Sequence, residues 1–171
     1  MKLRFTALVF ILACFSFNHK DKPALSLVET FITKFAKTHK NWTQDYQTTI
    51  QINQLFADTL ERFYQFHKNA LESLPLRLSS ISDSGNGKIV IAFECQNRFV
   101  DGKEIRAHVY NYQPLANLKQ LAVGNYYYLN GPIKEAYVRE TVGYNRTDNT
   151  CDIGIIYFDL ADIINQSDKK H

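Results

Sequence analysis

The stretch KIVIAFECQNRFVDGKEIRAHVYNYQ, residues 88–113, carries the clearest structural pattern in the chain. Apolar and polar residues alternate on both sides of Asp101-Gly102, a dipeptide typical of hairpin turns. Because successive side chains of a strand point to opposite faces, the alternation predicts two antiparallel strands that share one apolar face. The residues predicted to face the core are Ile89, Ile91, Phe93, Ile105, Ala107 and Val109.

The opposite face of this predicted hairpin is polar and aromatic, and it also includes Glu94 and Gln96. Aromatic rings beside arginine offer a ligand both stacking and charge. The alternative is a solvated sheet face whose side chains only pair with one another or lie under a helix. The candidate ligand-binding residues are Arg98, Arg106, His108, Tyr110 and Tyr112.

Two helices are predicted on the N-terminal side of the hairpin. Apolar residues at helical spacing indicate the first over about Pro23–Lys37. The second is predicted to begin at Asn53 as N-cap and to run to Leu74, because Pro75 stops it. Between them, the threonine and isoleucine content of Tyr46–Ile52 favours a short extended segment, with a helical turn as the alternative.

Further strands are predicted on both sides of the hairpin, and a short helix follows it. The alternation of Leu76–Ile81 indicates one strand before the hairpin, and two later segments indicate strands after it. The predicted later elements are a helix over Pro114–Val123, a long strand over Tyr126–Val138 with a bend at Gly131-Pro132, a strand over Ile153–Phe158 and a polar exit over Asp159–Lys170.

The order of these elements over residues 75–164 resembles an OB-fold. The segment LKQLAVGNYYYLNG, residues 118–131, is similar to the entry to the fourth strand in predicted envelope OB proteins. The resemblance implies an α+β protein, with N-terminal helices followed by a five-stranded antiparallel OB-like β-barrel. In OB-folds the outer face of the second and third strands binds oligonucleotides or oligosaccharides.

The alternative fold is NTF2-like or cystatin-like, with a long helix packed on a curved antiparallel sheet. Such a fold holds a pocket between helix and sheet, used for catalysis or for a small ligand. In that case Trp42, Tyr46, Phe63 and His67 are expected around the mouth of the pocket.

The N-terminus has the pattern of an export signal. Two basic residues precede an apolar run, Phe5–Ala13, that is too short to span a bilayer. The run ends in Ile11-Leu12-Ala13-Cys14, which resembles the lipobox of bacterial lipoproteins, so we expect cleavage before Cys14 and diacylation of its thiol. A plain signal peptide and a cytosolic protein with an apolar N-terminus are the alternatives.

The chain as a whole resembles lipoproteins of Bacteroidetes-type bacteria that carry a small OB-fold-like β-domain. The predicted organisation is a signal peptide (1–13), a lipidated tether (14–22), a helical arm (23–74), the OB-like β-domain (75–164) and a polar tail (165–171). This organisation implies a location in the cell envelope, at the outer membrane and facing the periplasm.

Charge and composition narrow the function classes. Loss of Lys2 and Arg4 with the signal lowers the net charge from +3 to +1, which argues against nucleic-acid binding. The five histidines are far apart in sequence and show no metal-ligand spacing, and we find no catalytic or cofactor motif. We therefore expect a non-catalytic binding or scaffolding module, without metal or cofactor, for an envelope protein or glycan.

Two cysteines remain beside Cys14. In an oxidising compartment Cys95 and Cys151 could form one disulfide. The alternative is a pair of buried thiols that behave as small apolar side chains.

Overall fold

The computed structural model describes residues 25–114, 121–138 and 142–168. Within these residues two α-helices precede nine strands, which confirms the predicted α+β class with the helices first. Outside the described residues lie the predicted signal peptide, the whole predicted tether with Cys14, and the first two residues of the predicted helical arm, together with 115–120 of the predicted short helix and the last three residues. The elements are α1 (Leu27–Thr38), α2 (Tyr46–Phe66), β1 (Leu76–Gly85), β2 (Lys88–Cys95), β3 (Phe99–Val100), β4 (Lys103–Pro114), β5 (Tyr126–Asn130), β6 (Ile133–Tyr137), β7 (Gly143–Asn145), β8 (Thr150–Asp159), β9 (Asp162–Asn165) and a 3-10 turn (Gln166–Asp168).

The strands form one curled, open sheet in the order β6-β8-β4-β2-β1-β5-β9. The short strands β3 and β7 pair with β4 and β8. Strands β4 and β8 run parallel, whereas the other described pairs are antiparallel. The predicted five-stranded antiparallel barrel is therefore wrong, because the sheet is mixed, open and larger. The alternative of a helix on a curved sheet matches the layering, but the sheet is not purely antiparallel.

The hairpin stretch behaves as its pattern predicts. Strand β2 pairs antiparallel with β4 in a register that sets Phe93 opposite Val109. Asp101 and Gly102 both have positive φ, 49° and 75°, as a tight hairpin turn requires, and this turn joins β3 to β4. All six residues predicted to face the core are buried, which confirms the predicted face.

Helix α1 begins where a capping box fixes its first turn. Ser26 is the N-cap, and its hydroxyl and the Glu29 carboxylate each accept a hydrogen bond from the other residue's backbone N–H. The helix buries Val28, Ile32 and Phe35 against the core. The helix predicted from the apolar spacing is thereby present, but it begins at Leu27 and not near Pro23, and it ends at Thr38.

Helix α2 differs from the prediction at both ends. It begins at Tyr46 because the Asp45 carboxylate accepts the backbone N–H of Thr48 at 2.9 Å, so the predicted extended segment is wrong. A good N-cap outweighs the weak strand preference of threonine and isoleucine. The helix ends at Phe66, and turns carry the chain through residues 67–73, where Leu71 is still buried.

A single core joins the helices to the inner face of the sheet. Trp42 packs between Phe35 and Phe56, with ring centroids 5.0 Å and 4.9 Å away. The Tyr64 hydroxyl of α2 donates a hydrogen bond to the carbonyl of Ile153 in β8 at 3.2 Å. The helices therefore cover one face of the sheet, and the other face is free of them.

The predicted long strand over Tyr126–Val138 is two strands that lie far apart in the sheet. Gly131-Pro132 separates β5, which pairs with β1 and β9, from β6, which pairs with β8. A Cβ at Gly131 would lie 3.1 Å from the Cα of Ala161, so the chain turns where only glycine fits comfortably. The predicted polar exit instead contains β9, which forms the edge beyond β5.

Candidate ligand-binding face

Strand β4 sets four of the five predicted residues on one face. Arg106, His108, Tyr110 and Tyr112 alternate with buried residues and point away from the helices. We call the surface that these residues and their neighbours on β2, β8 and β6 form the outer face. The structure thus brings four predicted site residues together, as the alternation indicates.

Arg98 does not belong to the outer face. It follows the end of β2, in the turn that leads to β3, and its guanidinium pairs with the carboxylate of Glu29 in the first turn of α1. Glu29 is fully buried, and it also accepts hydrogen bonds from the backbone N–H and hydroxyl of Ser26. The Glu29 carboxylate raises the pKa of Arg98. The structure therefore separates Arg98 from the other four predicted residues and pairs its guanidinium with a buried carboxylate of the fold.

Four tyrosines form a cluster on the outer face, which we call the tyrosine cluster (Tyr110, Tyr112, Tyr137 and Tyr157). The Tyr157 ring lies nearly parallel to those of Tyr110 and Tyr112, with centroids 5.3 Å and 6.3 Å apart. The Tyr137 ring meets it edge-on at 5.6 Å. Burial, followed by the neighbouring tyrosines, raises the pKa of Tyr157. Within the described residues the hydroxyls of Tyr110, Tyr112 and Tyr157 have no hydrogen-bond partner.

Sequence reasoning missed Tyr137 and Tyr157. The alternation of β8 places Ile153 and Tyr157 on one face, but Ile153 is buried and Tyr157 points outward. The register between β4 and β8 shifts after Arg106, at a bulge that contains Gly154 with φ of +99°. The glycine inside the predicted strand was the available signal for this bulge.

A groove lies at one end of the tyrosine cluster, and we call it the lysine groove. Its volume is about 440 Å³. The Lys134 ammonium lies 2.8 Å from the Asp159 carboxylate, which raises the pKa of Lys134. Its lining residues are Lys88, Tyr112, Gln113, Pro114, Lys134, Asp159 and Leu160.

Buried amides on the inner side of β4 hold one wall of the lysine groove. The side-chain amides of Asn111 and Gln113 donate to the carbonyl of Ala161 at 3.2 Å and 2.6 Å. The backbone N–H of Leu160 donates to the carbonyl of Tyr112 at 3.2 Å. These bonds fix the corner between β8 and β9, so the groove is preformed.

A second groove, the acidic groove, lies at the other end of β4. Its volume is about 420 Å³, and it is lined by Glu94, Gln96, Glu104, Arg106 and His108, with backbone from Cys95 and Ala107. Arg106 lies 3.4 Å from Glu104 and 3.3 Å from Asp148. Burial raises the pKa of Asp152, which is the register partner of Arg106 on β8. Carboxylates outnumber cations in this groove, whereas lysines outnumber carboxylates in the lysine groove. The two ends of the outer face therefore carry opposite net charge.

Cys95 and Cys151 are both buried free thiols. Cys95 is paired with Ala107 and Cys151 with Ile105, so strand β4 runs between them. Two strand spacings are about 10 Å, beyond the roughly 7 Å between Cα atoms that a disulfide tolerates. The predicted disulfide is therefore not formed. Burial raises the pKa of each thiol to about 12, which makes a nucleophilic role for either one unfavourable.

The four residues expected around an NTF2-like pocket are dispersed. Trp42 is buried in the core, and Tyr46 is exposed at the start of α2. Near the other end of the helix, the Phe63 ring stacks on that of Phe31 and lies tilted against that of His67, with ring centroids 4.6 Å apart in both pairs. The structure therefore does not gather them around one cavity mouth.

Across the described residues there is no group of three or more His, Cys, Asp or Glu side chains that could hold a metal ion. No helix in the described ranges is both long and apolar enough to cross a membrane. Comparison of the chain with protein-family models, with curated proteins and with solved structures finds no match.

Proposed function

We propose that this protein is a lipid-anchored cell-envelope lipoprotein that binds a partner through its outer face, without catalysis. The tyrosine cluster is the observation that carries the proposal. Four aromatic side chains meet on a sheet face that the helices leave uncovered, between two grooves. Tyrosine suits such a surface because its ring stacks on an apolar partner and its hydroxyl forms hydrogen bonds with a polar one.

The anchor rests on the N-terminal sequence alone. The basic start, the short apolar run and Ile11-Leu12-Ala13-Cys14 support diacylation of Cys14 and an outer-membrane location facing the periplasm. An anchored binding module works at high effective concentration beside other envelope molecules, so modest affinity suffices.

The anchor is tested by metabolic labelling with a clickable palmitate in cells that produce the protein, followed by membrane fractionation. We expect label and membrane association for the wild type, and loss of both in Cys14→Ser. Absence of label from the wild type would refute the lipoprotein.

The binding role is tested with the full-length Cys14→Ser chain, which lacks the attachment site, by cosedimentation with isolated cell envelopes. Tyr137→Ala removes an exposed ring of the tyrosine cluster, and Tyr46→Ala removes an equally exposed ring elsewhere. We expect Tyr137→Ala to reduce sedimentation with the envelopes and Tyr46→Ala to leave it unchanged. If Tyr137→Ala and Tyr46→Ala sediment equally with the envelopes, the outer face is not the binding surface.

A further inference from the structure

The lysine groove combines an aromatic wall with positive charge. Tyr112 belongs both to the tyrosine cluster and to the lining of this groove, and Lys88 and Lys134 line it as well. The volume of about 440 Å³ lies within the range of about 300–1,000 Å³ typical of small-ligand sites. Because the backbone of Leu160 is already bonded to Tyr112, ligand binding costs little conformational entropy at this wall of the groove.

The charge of the groove is suited to one negative group. Lys134 is already paired with Asp159, whereas the ammonium of Lys88 has no ion-pair or hydrogen-bond partner within the described part of the chain. Lys88 is the register partner of Pro114, two residues beyond Tyr112 on β4, so its ammonium belongs to the same end of the outer face. One unpaired cation beside one aromatic ring is the complement of a ring-shaped ligand with a single carboxylate.

The rest of the outer face limits how much negative charge a ligand can carry. The acidic groove, with Glu94 and Glu104, lies at the opposite end of β4 and would repel a chain that is anionic at every unit. Between the grooves, three tyrosine hydroxyls that have no hydrogen-bond partner among residues 25–114, 121–138 and 142–168 offer hydrogen bonds to neutral hydroxyl groups. The pattern therefore favours a ligand with one anionic unit followed by neutral polyhydroxylated units.

We propose that the lysine groove binds an acidic oligosaccharide, with the carboxylate of its uronate unit on Lys88 and a sugar ring against Tyr112. The neutral sugars that follow lie along the tyrosine cluster. This inference rests on the proposed function, because it assigns a ligand class to the same outer face.

The test is a calorimetric titration of the full-length chain in detergent with two matched sugars. Aldotetraouronic acid carries one methylglucuronate on a xylose chain, and xylotetraose is its neutral counterpart. We expect the acidic sugar to bind at least about tenfold more tightly, as one charge-assisted contact would give. Added salt should reduce this difference.

Three variants locate the site, and two more are controls. Lys88→Gln and Tyr112→Phe should fold normally, and Lys88→Gln should lose about tenfold in affinity for the acidic sugar. Tyr112→Phe should retain most of the affinity because it keeps the ring, whereas Tyr112→Ala should lose it. Lys34→Gln and Tyr46→Ala, which remove an exposed lysine and tyrosine on the helices, are the controls and should bind as the wild type does.

Four outcomes would overturn the inference. Equal binding of both sugars would remove the role of Lys88, and tighter binding of a thymidine tetranucleotide would indicate a nucleic-acid surface. Complete displacement by inorganic phosphate, with Tyr112→Ala unaffected, would indicate an anion site without a sugar. If no sugar binds while Tyr137→Ala still reduces envelope sedimentation, this inference fails and the proposed function stands.

Discussion

The carboxylate of Glu29 is fully buried, so the cost of removing it from water must be offset by its hydrogen-bond and ion-pair partners. It receives two hydrogen bonds from Ser26 and the guanidinium of Arg98. A buried charge whose partner is removed keeps its desolvation cost without compensation. The guanidinium of Arg98 therefore compensates a charge that is buried in the fold.

We expect Arg98→Ala to lower the free energy of unfolding by about 3 kcal/mol, since Glu29 would remain buried without its cation. Urea denaturation measures this change. The control is Arg106→Ala, whose ion pairs are solvent-exposed and should be worth about 1 kcal/mol or less. Equal losses in both variants would contradict the structural role of Arg98.

Asp152 should destabilise the fold at neutral pH. Burial raises the pKa of its carboxyl, so the folded state favours the protonated form and loses stability as the pH rises through that pKa. We expect Asp152→Asn to raise the melting temperature at about pH 7 and to have little such effect below about pH 3, where the carboxyl is mostly protonated in both states.

Asp83→Asn is the matched control for Asp152→Asn. Both carboxylates accept a backbone N–H two residues later at 2.7 Å, and asparagine can preserve that bond in both. Asp83 is exposed, so its substitution should leave the melting temperature unchanged at either pH. A gain of stability in both variants would trace the effect to the turn and not to burial.

At the scale of elements, one side chain of α2 ties the helix to β7. The Asn53 amide oxygen accepts the indole N–H of Trp42 at 2.7 Å and the backbone N–H of Tyr144 at 2.9 Å, and its amide N–H donates to the Tyr144 carbonyl at 3.0 Å. A Cβ at Gly143 would lie 2.5 Å from this amide, so the strand approaches as closely as glycine permits.

We expect Asn53→Ala to lower the free energy of unfolding by about 2–3 kcal/mol, because it leaves the buried Trp42 indole N–H without a partner. Chemical denaturation followed by Trp42 fluorescence measures it, with Gln54→Ala on the same helix as a near-neutral control. Gly143→Ala should cost less in the Asn53→Ala background than alone, because the two closest clashes, with the amide carbon and oxygen of Asn53, are removed and only the contact with its Cβ at 2.9 Å remains. Strict additivity of the two losses would contradict a direct contact.

Asn53 also shows what the sequence revealed about the elements and what it did not. It was predicted as the N-cap of the second helix, and it lies eight residues inside that helix with its side chain used for a tertiary contact. Asp45 provides the actual cap. Local propensity ranks both residues as caps, and only the packing of Trp42 and Tyr144 distinguishes them.

At the scale of the whole molecule, the core includes both helices and the inner face of the sheet as one cluster. The single tryptophan of the chain, Trp42, lies on the helical side of this core. We expect Trp42 fluorescence and far-ultraviolet circular dichroism to report one urea transition with the same midpoint. Two separated midpoints would show that the helices unfold independently of the sheet.

The alternation of residues 88–113 predicted the strands, their buried face and four outward residues of β4, because side-chain direction is a local property. The partner of β4 is not local. Its parallel neighbour β8 follows only after β5, β6 and β7, and no residue pattern marks that pairing. Tyr157 and Tyr137 reach the site through this pairing, so sequence reasoning could not place them beside Tyr110.

The Ser26–Glu29–Arg98 contact also sets the mechanical behaviour of the chain. A force applied through the residues that precede Leu25 acts first on the first turn of α1. This turn is bonded to Arg98, which follows β2, as well as to the rest of its own helix. The backbone N–H of Val28 is bonded to the carbonyl of Ala70, a further lateral attachment. The force is therefore shared with the segments that contain Arg98 and Ala70. The first turn of α1 cannot unfold until both of these contacts break.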